Sequence, residues 1–166
     1  MTTTAGLRLR APANRLDRRA ITWWRLSSLI DVILLLTLLS ATWWWWTDAR
    51  DWIAPIWIAV LVLGVGRVIV MPLVRYHVHR WETTDESVYA SSGWVLRQWR
   101  IAPISRIQTV DTTRGPIQQA LGLSTLVVTT ASAVGPIKIE GMTVETAMDV
   151  AAELSRLASL DEGDAT

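Results

Sequence analysis

Two long apolar stretches constrain this chain more than anything else in it. One is "LSSLIDVILLLTLLSATWWWW", lying within Trp24–Trp46; the other is "IAPIWIAVLVLGVGRVIVMPLV", Ile53–Val74. A helix that crosses a bilayer needs about 20 mainly apolar residues, and each stretch is long enough. Two core helices of a soluble protein would have to be wrapped by the rest of the chain. The 92 residues after Val74 are too few to cover two helices that are apolar on every side. The sequence therefore predicts a transmembrane hairpin over residues 21–74, with spans at about 24–46 and 53–74.

The tryptophans fit that hairpin. Five of the ten residues in "WWWWTDARDW", 43–52, are tryptophan. The ring is apolar but its N–H wants a partner, so tryptophan gathers where a span meets headgroups and water. Trp43–Trp46, Trp52 and Trp57 are expected around the connecting turn, with Trp23 and Trp24 at the opposite interface. Charge sets the orientation. Arg8, Arg10, Arg15, Arg18, Arg19 and Arg25 precede or begin the first span, and Arg75 and Arg80 follow the second. The turn holds only Arg50, flanked by Asp48 and Asp51. The positive-inside rule then places both termini in the cytoplasm of a plasma-membrane protein. The first span is too long and too far from Met1 for a typical cleaved signal peptide, and is expected to stay as an anchor.

Two charges interrupt the spans. Asp31 lies seven residues after Trp24 and Arg67 seven before Val74, at similar depth in an antiparallel hairpin. An unpaired charge at that depth costs several kcal/mol, so an ion pair is expected; a partner-binding or ion-path role is the alternative. Gly64 and Gly66 beside Arg67 would let the helices approach closely.

Beyond Arg75 the period changes to that of a soluble domain. Residues 1–20 read as a disordered basic tail, 76–160 as a folded domain and 161–166, "DEGDAT", as a fraying end. "YHVHRWETT", "SVYASSG", "WVLRQWRIAPI", "RIQTVDTTRG", "LSTLVVTTA" and "GPIKIEGM" read as strands, the last with Ile137 and Ile139 on one face. "PIQQALG" predicts a short helical turn from Pro116 to Gly122. In "TVETAMDVAAELSRLASL", Thr143 is an N-cap candidate, and Ala147, Val150, Ala151, Leu154 and Leu157 form an apolar stripe. The expected class is a membrane α-helical hairpin plus an α+β domain, a β-sandwich or barrel capped by a C-terminal helix.

The run from Arg106 to Thr130, with Gln108, Arg114-Gly115-Pro116, Gln118 and Leu121-Gly122-Leu123, followed by "IKIEGM" and a terminal helix, resembles the bacterial pleckstrin-homology domain type 2 family. The likeness covers roughly 76–160, and the preceding helix pair is also similar to small membrane members of that family. The resemblance implies a PH-like fold, a bent β-structure closed by the terminal helix. It implies no catalytic residues; related domains assemble into oligomers, and small members accompany larger membrane relatives. Phosphoinositide-binding PH domains carry a basic loop between their first two strands. The matching turn here is "TTDES", with Asp85 and Glu86, so headgroup recognition by that route is not supported.

The remaining candidates are few. The chain has no cysteine, which excludes disulfides and thiolate catalysis, and its formal net charge of +1 gives no nucleic-acid footprint. His77 and His79, two apart on an expected strand, could begin a zinc site, but no third histidine or cysteine exists to complete it. Arg97, Arg100 and Arg106 are candidate contacts for anionic lipid, with surface solvation as the plain alternative. Arg114 beside its tight turn could fasten that loop to backbone carbonyls. No phosphate loop, nucleophile elbow or zinc-protease signature is present, and no cofactor or small-molecule substrate is expected. The reading is a non-enzymatic scaffold or accessory subunit whose partners are the bilayer and a second copy or a larger membrane protein. A lipid-surface sensing module and a small transporter or ion-conducting subunit are the alternatives.

Overall fold

The computed structural model describes residues 12–94, 96–131 and 135–164. Two helices, α1 (Arg19–Trp45) and α2 (Arg50–Val78), are joined by a 3₁₀ turn at Thr47–Ala49. Both are long and apolar enough to cross a membrane. They are antiparallel, since contacts run in opposite directions along the two helices. Arg67 meets Asp31, Gly64 abuts Val32, and Trp57 Nε1 donates to Ser40 Oγ at 3.1 Å. A Cβ on Gly64 would lie 2.8 Å from a Val32 methyl, so this glycine is what lets the helices touch. Arg50 closes the turn by donating from Nε to the Trp43 carbonyl, which the end of α1 leaves without a helical partner.

The strands form two antiparallel sheets. β1 (Asn14–Arg15), β2 (Arg80–Thr83), β3 (Ser87–Ser92) and β4 (Gln98–Pro103) lie in that order in one. β5 (Ile107–Thr113), β6 (Leu123–Thr130) and β7 (Ile137–Thr143) make the other. A short helix α3 (Pro116–Ala120) links β5 to β6, and α4 (Val144–Asp164) ends the described chain. Thr143 Oγ1 accepts from the Thr146 N–H, the N-cap bond expected from its position. Ala147 and Leu154 of α4 are fully buried with Val88, Leu126, Val128, Ile137 and Ile139 between the sheets. Together the two sheets and the closing helix make a PH-like fold.

Several expectations need correction. Residues 12–20 are not a disordered tail, while residues 1–11 lie outside the described residues. Asn14 and Arg15 pair with Trp81 and Arg80, and the Asp17 N–H donates to the Gly141 carbonyl at 3.1 Å. Ala20 and Trp24, four residues apart in α1, share one helix face, and both enter the domain core together with Leu16 from the segment before the helix. Trp24, 3% exposed, is therefore a core residue and not a lipid-facing anchor. Gly141 makes this docking possible: it has φ +78°, and a Cβ there would come within 2.6 Å of Ala20 Cβ. "YHVHR" is not the start of a strand, because α2 continues to Val78 and β2 begins at Arg80. A helix leaving a membrane continues until something caps it, and His79 does so here: its N–H and Nδ1 both bond the Arg75 carbonyl. The end expected to fray from Asp161 keeps its helical backbone to Asp164.

Candidate functional site

Three places hold the chemistry that the sequence marked. The first is in the membrane hairpin, where Arg67 Nη2 donates to Asp31 Oδ2 at 3.1 Å. The helices come together beside this contact, where Gly64, one turn before Arg67, meets Val32, the residue after Asp31. The pair is not enclosed between the helices: the Arg67 and Asp31 side chains are 50% and 58% exposed along the side of the hairpin. Arg67 lies seven residues inside Val74, about 10 Å along the helix axis.

The second is the junction between α2 and the domain. Arg75, the first residue after the apolar run, holds Glu140 of β7 at 2.6 Å and stacks 4.6 Å over the Trp24 ring. His79 lies against the other side of this group, 5.5 Å from Trp24 between ring centroids. Burial and the Arg75 charge lower its pKa to about 4, against a smaller opposing effect of its bond to the Arg75 carbonyl. His79 is therefore neutral at physiological pH, with Nδ1–H donating to that carbonyl and Nε2 facing the Arg75 Nε–H at 3.5 Å. Beside this junction opens a cavity of about 460 Å³, lined by Arg75, His79, Leu96, Arg100, Lys138 and Glu140 among others.

The third is the loop around α3. Arg114 Nε donates to the Leu123 carbonyl at 3.2 Å, a backbone fastening of the kind its position suggested. Buried Gln118 accepts the Gly115 N–H at Oε1 and donates from Nε2 to Thr125 Oγ1 at 2.8 Å. Pro116 occupies the first helical turn, and Gly122 ends the helix with φ +67°. Arg114, Gly115, Pro116, Gln118 and Gly122 thus form one structural clamp that pins α3 to β6. Gln108 stands apart from it, exposed at the β-bulge between Ile107 and Thr109. The clamp also explains the two-sided burial of "LSTLVVTT". Leu126 and Val128 face the core, and the opposite face of β6 meets α3 through Gln118 and Thr125.

Other candidates are separated. Arg97, Arg100 and Arg106 do not form one basic surface. Arg97 and Arg100 lie toward the α2 end of the domain, because Gln98 pairs with Ser92 and Arg80 with Ser91. Arg106 sits at the far end, where Ile104 N–H donates to the Glu86 carbonyl. Arg100 is already engaged with the Pro136 carbonyl at 2.7 Å. His77 and His79 do not share a strand face: His77 is exposed in the last turn of α2 and His79 is buried at its cap. Among the described residues no three His, Asp or Glu side chains come together as metal ligands.

Sequence reasoning used Arg75 only for orientation and gave no role to Trp24, Lys138 or Glu140 at the junction. Lys138 had one signal, as the only lysine of the chain. The exposed apolar side chains of β4, Trp99 at 43% and Ile101 at 48%, were also missed. Their spacing of two was visible, but which face of β4 is solvent depends on how the sheets meet.

Comparison with known proteins agrees with this architecture. A family model described as bacterial PH domain matches residues 19–158. The transmembrane protein YdbS of Bacillus subtilis (strain 168) is 30% identical over 156 residues, covering 92% of this chain and 97% of that protein. No solved structure matches.

Proposed function

This chain belongs to the bacterial PH domain family, and from that premise we propose that it is a non-enzymatic scaffold or accessory subunit of a membrane complex. The carrying observation is the Asp31–Arg67 pair, half exposed on the side of the hairpin. Ionisable groups at hydrocarbon depth almost always face protein or a water-filled cavity, because lipid tails cannot solvate them. Arg67 has a long stem with which to reach headgroups, but Asp31 does not. A neighbouring chain against that flank would cover both. The opposed charges inside one hairpin argue against the transporter reading, since each already neutralises the other. Trp99 and Ile101 on the open β4 edge give the domain a second surface suited to a neighbour. Anchoring would make weak contacts there effective by raising local concentration.

Photo-crosslinking in native membranes tests this. Leu38 lies seven residues on from Asp31, on the same helix face, whereas Ile33 lies well around the helix. A benzophenone side chain at position 38 should give one discrete product, with a second copy or with another membrane protein, and position 33 much less. A smear, or no product from position 38, would refute assembly through this flank.

The same reading places both termini in the cytoplasm, on the arginine asymmetry that flanks the spans. The natural chain has no cysteine, so a single Ala49→Cys reports topology cleanly. It should label from outside intact cells; labelling only after lysis would reverse the orientation.

A further inference from the structure

We propose that the cavity between β4, β7 and the end of α2 binds the phosphate of an anionic phospholipid headgroup. Its depth is the first reason. The apolar run of α2 ends at Val74, and the cavity is lined by Arg75 in the last turn of that helix and by His79 at its cap. Headgroups occupy a layer about 5–8 Å thick outside the hydrocarbon, and one helical turn beyond Val74 spans that layer. The cavity therefore opens where lipid phosphates lie, on the domain side of the membrane.

Charge is the second reason. Arg75, Arg100 and Lys138 line the cavity against the single carboxylate of Glu140, a surplus of two positive charges, with His79 neutral. Glu140 is committed to Arg75, and Arg100 is oriented by the Pro136 carbonyl, so both guanidinium groups are held in place. Lys138 sits exposed on β7, and its side chain carries no hydrogen bond or ion pair among the described residues. A flexible ammonium beside two fixed guanidinium groups suits a phosphate, to which arginine offers a planar fork and lysine a point charge. The third reason is the rim. Leu96, 76% exposed, lines the cavity, and Trp94, half exposed, stands two residues earlier on the same β3–β4 loop. An exposed leucine lining a cationic cavity, with an exposed tryptophan on the same loop, fits the border between tails and headgroups. The volume of about 460 Å³ lies within the range of small-molecule sites.

The test uses the full-length protein in nanodiscs and native mass spectrometry of released complexes. Lipid retention is compared between phosphatidylcholine alone and phosphatidylcholine with one-fifth phosphatidylglycerol. Wild type should retain phosphatidylglycerol selectively. Lys138→Gln should lower that retention about tenfold, the loss of one charge-assisted contact to a phosphate. Arg97→Gln, which removes an exposed charge outside the cavity lining, should lower it less than twofold. Equal losses in both variants would mean general surface attraction and overturn the site. So would retention without preference for the anionic lipid. If millimolar inorganic phosphate displaces the retained lipid, the site takes a soluble phosphate and the lipid assignment falls.

Discussion

At the scale of single residues, the most informative side chains are the charged ones in apolar surroundings. Asp31 and Arg67 could be matched from the sequence because two spans of known length fix depth, and depth is nearly one-dimensional. Their position on the outside of the hairpin could not, because it depends on which flank Gly64 turns toward Val32. Each charge without the other would be stranded in hydrocarbon. Asp31→Asn and Arg67→Gln are each expected to lower thermal stability in nanodiscs. The double variant should lose less than the sum of the two, by about 1–3 kcal/mol of coupling. Strict additivity would show that the 3.1 Å contact contributes nothing. Arg114 and Gln118 teach a different lesson. Their spacing around Gly115-Pro116 marks a turn, but their partners Leu123 and Thr125 come from the following strand. Only the fold shows that the motif is a clamp and not a ligand site.

Among elements, the junction of α2 with β2 decides how membrane and domain are coupled. The alternating pattern of "YHVHRW" reads as a strand, and the same residues serve equally as the last helical turn plus a cap. Periodicity over so few residues cannot separate the two; the buried contacts of His79 do. α1 shows the reverse case, since its first two turns carry a four-residue apolar spacing that reads as domain core once Gly141 is seen to admit Ala20. The helices and the sheet are thus joined at both ends of the hairpin's base, by Ala20 against β7 and by Arg75 against Glu140. His79 gives this junction a pH signature. Its folded pKa of about 4 lies below the usual 6.5, so the unfolded chain takes up its proton first as pH falls. The stabilising effect of the neutral form is complete above pH 6.5 and is lost between 6.5 and about 4, at most about 3 kcal/mol. Melting temperatures across that window should fall more steeply for wild type than for His79→Gln. Parallel profiles would show that His79 titrates normally in the folded protein.

For the whole molecule, the sequence carried the architecture further than the site. Apolar length, tryptophan clusters and the change of period after Arg75 are properties of long stretches, which survive local errors of a few residues. The cationic cavity gathers Arg75, Arg100 and Lys138 from α2, β4 and β7, and no linear pattern joins three residues so far apart. The exposed face of β4 was hidden for the same reason. Both the half-exposed intramembrane pair and that face look outward, to surfaces that one chain leaves open. The direct measurement is the mass of the protein–detergent complex, corrected for bound detergent, for full-length protein purified at native expression level and followed through a dilution series. More than one chain per particle, or a co-purifying membrane protein at fixed ratio, is the expected result. A single chain at every concentration, with nothing accompanying it, would contradict assembly as the role of this protein.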